Sequence, residues 1–154
     1  KVTMNNYDFN IMLQTDDVSA DTLKERFKED KQSVLFATGS FFEGIDVKGE
    51  ALENVIITKL PFPVVNHIIE EKASHFRDGF REVYLPEMII KLKQGVGRLI
   101  RSSTDKGIVS ILDPRYKEYE DVILESLPFN NVTTDIEEVK AFATNKLGIS
   151  KAKK

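Results

Sequence analysis

Ser33 to Glu50 reads SVLFATGSFFEGIDVKGE, and its first five residues decide the fold class. Ser33 to Ala37 is a compact apolar run bounded by polar residues, the pattern of a strand covered on both faces. Such strands belong to parallel sheets with helices packed against them. Thr38 to Gly49 then forms a glycine-punctuated loop at the strand's carboxyl end, the edge where parallel α/β sheets bind ligands. Gly39 and Gly44 permit backbone shapes that other residues resist, and backbone N–H groups there are suited to facing a phosphate. Asp46 is suited to accepting from a ribose hydroxyl or to ordering a nucleotide. As bare spacing, two glycines and a nearby aspartate have little specificity, and a plain loop is the simpler account. The Gly-Lys-Ser/Thr ending of a P-loop is missing, so the stretch is no Walker A site.

Outward from this stretch, the pattern alternates. Asn10 to Gln14 is a short apolar strand, and Ser19 or Asp21 offers an N-cap to a helix with Leu23 and Phe27 on one face. Asn54 to Thr58 is a third strand, closed by Leu60-Pro61-Phe62-Pro63, where the prolines forbid continuation. A helix is expected over Val65 to Phe76 and a loop around Asp78-Gly79. Leu85 to Ser102 is the best-patterned helix, Gly107 to Leu112 a fourth strand, and Tyr116 to Leu127 and Asp135 to Leu147 two further helices. Strands alternating with helices imply an α/β domain with a mostly parallel sheet and helices on both faces. With no repeats and no low-complexity linker, residues 1–154 read as one domain.

On the Leu85–Ser102 helix, Leu85, Met88, Ile89, Leu92, Val96, Leu99 and Ile100 share a face. Gln94, Arg98 and Arg101 fall on the opposite side. Two guanidiniums and an amide on one stripe suit a phosphate chain, because arginine presents a planar fork of donors and stays charged. A solvated helix face is the competing explanation. Gly95 and Gly97 bear on the choice, since each costs roughly 1 kcal/mol against alanine inside a helix and calls for a reason such as close approach of a backbone or ligand. Lys91 to Lys106 also holds five basic residues against one acidic, in a chain whose net charge is -3.

That net charge argues against nucleic-acid binding by bulk charge, so any such contact must be local. The 154 residues, 41% hydrophobic and 31% charged, fit an ordinary globular domain. Without cysteine, disulfides, thiolate metal sites and cysteine catalysis are excluded, which suits a cytoplasmic location. No run has the length of a membrane span, so no membrane partner is expected.

GSFFEGIDVKGE (39–50) followed by QGVGRLIRSSTDKG (94–107) resembles motifs V and VI of superfamily 2 helicases. The EGID with a following Gly-Glu, the Q-x-x-G-R-x-I-R, the LPFP after the third strand and the ILDPR after the fourth are similar to the DinG/XPD branch. The resemblance runs from Ser33 to Leu127. It implies the second, RecA-like motor domain of a DNA helicase, with ATP held between two such domains and single-stranded DNA crossing both. By this match Arg101 and Arg98 are arginine fingers at the γ-phosphate, with Gln94 near the phosphates or the attacking water. Asp46, Gly44 and Glu43 couple the nucleotide to the DNA-contacting loop, and Thr38 and Ser40 donate to a DNA phosphate through hydroxyl or backbone N–H. Mg²⁺ is expected mainly on the P-loop domain, which, with the strand, helix and motif IV ahead of Lys1, is expected upstream in a longer parent. The chain alone is therefore expected to be inactive.

Other candidates are weaker. His67 and His75 have no cysteine nearby, and surface positions are favoured over a metal site. Phe41 and Phe42 are suited to stacking on a base, though core packing is the simpler role. Asp113 and Arg115 are either an interdomain or DNA contact or a structural pair. Rival functions are a non-catalytic helicase-like module that only binds nucleic acid or protein, and an RNA-directed member of the superfamily.

Overall fold

The computed structural model describes residues 9–15, 17–30, 32–39, 41, 52–100, 105–128 and 131–147. Strand β1 (Asn10–Leu13) leads into helix α1 (Ala20–Glu29), which returns to β2 (Ser33–Phe36). Ser19 caps α1, its Oγ accepting from the Thr22 N–H at 3.2 Å, and Leu23 and Phe27 are buried as the pattern requires. β1 and β2 pair in parallel, Asn10 opposite Ser33 through Leu13 opposite Phe36.

Strand β3 (Asn54–Ile57) pairs in parallel with β4 (Ile108–Ile111), Asn54 opposite Ile108 and Ile57 opposite Ile111. Between them lie helix α2 (His67–Ser74), a π-helical turn (Phe80–Tyr84) and helix α3 (Leu85–Val96). Helices α4 (Tyr116–Ser126) and α5 (Ile136–Lys146) follow. The chain is thus α/β with parallel pairing, but among the described residues the four strands form two separate pairs rather than one sheet. β2 and β3 are joined by the glycine-punctuated loop, most of which lies outside the described residues.

The principal core sits where α3 crosses β3 and β4. Met88, Ile89, Leu92 and Val96 of α3 pack with Ile57, Leu60, Ile123 and Leu127, and Met88 and Leu92 are wholly shielded from solvent. Burying an apolar side chain of this size contributes roughly 1.5–3 kcal/mol, so α3 is the element on which this half of the fold depends.

Three boundaries differ from the sequence expectation. α2 starts at His67, because Asn66 is its cap: Asn66 Oδ1 accepts from the Ile69 N–H at 3.0 Å. Asp78-Gly79 is a tight turn that runs directly into helix, and a β-carbon at Gly79 would lie 2.6 Å from the Ala73 carbonyl oxygen, so only glycine fits against α2. The wider turn beyond it has a cause in Pro86, which has no N–H to give to the preceding turn; the Leu85 N–H reaches back to the Phe80 carbonyl.

α3 ends at Val96, short of Ser102. The Gly97 N–H still reaches the Lys93 carbonyl at 2.8 Å, but Arg98 N–H turns to Gly95 at 3.3 Å and Leu99 N–H to Val96 at 2.9 Å, tightening these two to i→i+3 bonds before Ile100 N–H returns to Val96 at 3.1 Å. Two glycines, at 95 and 97, weaken the helix there.

Candidate nucleotide and DNA site

At the carboxyl ends of β3 and β4 the two proline-marked loops are fastened together. Asp113, 4% exposed, takes the Leu60 N–H at 2.8 Å on Oδ2. Arg115 closes on the same carboxylate, Nη2 donating to Oδ2 at 2.6 Å and Nε and the backbone N–H each to Oδ1 at 3.0 Å. The Arg115 guanidinium also lies 5.1 Å from the centre of the Phe62 ring, a cation–π contact. Phe62 in turn meets Tyr119 edge-on at 5.5 Å and Phe80 at 5.8 Å. Hydrogen bonding by Arg115 holds the Asp113 carboxyl well below the usual carboxylate range, the Leu60 N–H adds to this, and burial opposes it. Of the two roles open to Asp113 and Arg115 in the sequence, the geometry gives the structural one: they join Leu-Pro-Phe-Pro to the end of β4.

Gln94 is exposed on the last turn of α3, and Arg98 follows half-buried in the tightened turn. The stripe of Gln94, Arg98 and Arg101 assumed an unbroken helix; the helix stops between the first two, so the arginine sits in a turn at a helix C-terminus. The partial negative charge of that terminus favours a cation there. Val96 and Leu99 are buried beneath this turn, and a β-carbon at Gly107 would lie 2.5 Å from the Leu99 side chain, so β4 begins tight against it.

Thr38 stands just past the carboxyl end of β2. Its backbone N–H and its hydroxyl both donate to Gln14 Oε1, at 2.8 and 3.0 Å. Gln14 is itself held in the ladder, its N–H donating to the Phe36 carbonyl at 2.9 Å. Leu13, Gln14, Thr15, Phe36, Ala37 and Thr38 line a shallow cleft at this edge. Gly39, next along, has no atom of the described residues within 4 Å of where a β-carbon would stand, and its backbone is not left-handed, so openness rather than strain distinguishes it. Phe41 is 3% exposed with the Lys24 ammonium 5.7 Å from its ring centre; it packs rather than stacks on a base.

Ser40, Phe42, Glu43, Gly44, Asp46 and Arg101 lie outside the described residues. The described candidates are carried by two strand pairs, Thr38 by β1–β2 and Gln94 and Arg98 by the β3–β4 half. His67 and His75 are both exposed at the two ends of α2, His67 with Glu70 at 3.9 Å. Among the described residues no three His, Cys, Asp or Glu are grouped to hold a metal, and no helix is long and apolar enough to cross a membrane. Gln14, the residue just after β1, was not among the sequence candidates, although it stands at the same carboxyl edge.

Parallel strand pairs whose carboxyl ends lead into glycine- and proline-marked loops make this an α/β domain of the kind whose ligands sit at that edge. The chain belongs to the helicase C-terminal domain family, whose model matches residues 1–130. It is 45% identical over 143 residues, 88% of its length, to the ATP-dependent DNA helicase YoaA of Haemophilus influenzae. Over 82% of its length it is 41% identical to the YoaA helicase of Escherichia coli, and over 68% it is 43% identical to the ATP-dependent DNA helicase DinG of Photobacterium profundum. These alignments cover 22%, 21% and 16% of the relatives, so the chain spans about a fifth of the length of the curated relatives it matches.

Proposed function

We propose that the chain is the RecA-like second motor domain of an ATP-dependent, cytoplasmic DNA helicase, acting with an upstream P-loop domain of the same polypeptide. The observation that supports this most is the pairing, in one family-matched chain, of a Gly39–Glu50 loop leaving a parallel strand with a Gln94–Arg101 segment closing the core helix. In this reading the two strand pairs belong to one mostly parallel sheet flanked by helices on both faces. Arg98 and Arg101 reach the γ-phosphate of ATP, and Gln94 orients the phosphates or the attacking water. Phosphoryl transfer depends on positioning and on stabilising charge, which is what fixed guanidiniums supply. Gly44, Asp46 and Glu43 link the nucleotide to the loop that carries Thr38 and Ser40, which meets single-stranded DNA. The carboxylates for Mg²⁺ come mainly from the P-loop domain. ATP closes the two domains because both touch it, hydrolysis releases them, and alternating grip moves the strand.

The test is steady-state ATP hydrolysis by a full-length protein carrying this domain, with and without single-stranded DNA, beside the 154-residue chain alone. The expected result is DNA-stimulated hydrolysis by the full-length protein and none by the isolated chain. Hydrolysis by the isolated chain would overturn the shared-site reading. Absence of hydrolysis from the full-length protein would leave a non-catalytic binding module in its place.

A further inference from the structure

We infer that the Gln14 side-chain amide, fixed in place by Thr38, is the donor that the β1–β2 edge offers to a phosphodiester oxygen of single-stranded nucleic acid. The inference rests on the motor-domain reading above and deepens it by naming the contact atom. Gln14 is not among the residues that motifs V and VI bring to attention.

The argument is one of donors and acceptors. A phosphodiester oxygen only accepts, so a protein group that binds it must bring a hydrogen. Thr38 has two, its N–H and its hydroxyl hydrogen, and both point at Gln14 Oε1. A backbone N–H cannot donate to an NH₂ group, so the atom facing Thr38 must be the amide oxygen, and the Nε2 group must face the other way. Nε2 carries two hydrogens and donates to none of the described residues. Gln14 is half-buried and lines the shallow cleft of Leu13, Thr15, Phe36, Ala37 and Thr38 at the carboxyl edge.

The amide is also held rigidly. Its backbone N–H is fixed to the Phe36 carbonyl and its side-chain oxygen to two atoms of Thr38, 24 residues away in sequence. A side chain already held at both ends loses little rotational freedom on binding. The same polarity gives Thr38 its part: both of its donations go to the amide oxygen, so it positions the amide.

A nucleotide triphosphate presents the same acceptor oxygens, so the test measures both ligands on the full-length protein carrying this domain. Affinity for a fluorescent oligothymidylate is read by anisotropy, and affinity for a fluorescent ADP in parallel. The variants are Gln14→Met, which removes the donor at nearly constant shape, Gln14→Glu, whose carboxylate still accepts both Thr38 hydrogens but donates nothing, and Thr38→Val. Unfolding temperatures establish that each variant is folded, and Gln14→Glu preserves the anchoring if Gln14→Met does not. The expected result is a roughly ten- to hundred-fold loss of oligothymidylate affinity for both Gln14 variants, the range for a hydrogen bond to a charged group. Thr38→Val, which leaves one of the two anchors, costs less. Gln14→Met also leaves the slope of affinity against salt unchanged, because no charge is removed.

A loss in Thr38→Val equal to or greater than in Gln14→Met would make the threonine hydroxyl the donor and overturn the inference. So would unchanged oligothymidylate affinity in the Gln14 variants, or a loss confined to ADP. If the unsubstituted protein bound no single-stranded DNA, the motor-domain reading itself would fall, and the inference with it.

Discussion

Replacing Asp113 with alanine removes the acceptor at the centre of the clasp between the ends of β3 and β4. The Leu60 N–H, bonded to Oδ2 at 2.8 Å in a buried position, then has no acceptor. Leaving a buried donor unsatisfied costs about 1–3 kcal/mol. The Arg115 side chain, 48% exposed, turns to water instead and adds little. A total of about 2 kcal/mol in a chain of this size lowers the unfolding temperature by roughly 4–8 °C. Asp113→Asn retains an oxygen for the Leu60 N–H and loses only the charged fork, so it should cost less than alanine.

Because Arg115 and the Leu60 N–H hold the Asp113 pKa below its unfolded value, the ionised carboxylate stabilises the fold at all pH above that value. The contribution is lost as pH falls from about 4 toward the lower native pKa. Thermal unfolding of wild type, Asp113→Ala and Asp113→Asn at neutral pH and through the acid range reads both effects. The gap between wild type and alanine should be full at neutral pH and narrow only below about pH 4. Alanine melting within about 1 °C of wild type, or asparagine costing more than alanine, would refute the assignment of the cost to the Leu60 donor.

Other outcomes follow from the packing. Met88→Ala, at a position fully shielded from solvent, should cost about 2–5 kcal/mol in denaturant unfolding, while Ile90→Ala, half exposed on the same helix, should cost far less. Gly79→Ala places a β-carbon 2.6 Å from the Ala73 carbonyl oxygen and should destabilise by about 1–3 kcal/mol, seen as a lower urea midpoint. Gly39→Ala meets nothing among the described residues, so its effect should fall on DNA-stimulated ATP hydrolysis and not on unfolding temperature.

The elements were legible because their patterns are local. Ser19 before Leu23 and Phe27, and the Leu85–Val96 face, name their own cap and core. The end of α3 was harder. Two glycines inside an otherwise periodic run suggest close approach in a continuing helix, whereas the regular helix ends there: apolar periodicity persists through Leu99 although Arg98 and Leu99 bond i→i+3. Sheet continuity is a long-range property; no local pattern in four-residue strands states which neighbour each one pairs with. At the candidate site, Arg98 and Thr38 stand out by motif, but Gln14 does not. Its role arises from hydrogen bonds spanning 24 residues, which a reading along the chain does not bring together.

The central claim is that guanidiniums from this domain complete an ATP site whose other half lies on a P-loop domain. The most direct measurement is single-turnover ATP hydrolysis by the full-length protein, saturated with single-stranded DNA, for wild type, Arg98→Ala and Arg101→Ala, with nucleotide affinity measured alongside. The account expects at least one of the arginine variants to lose hydrolysis by on the order of 10³-fold or more while still binding nucleotide. Hydrolysis by both variants at the wild-type rate would contradict it.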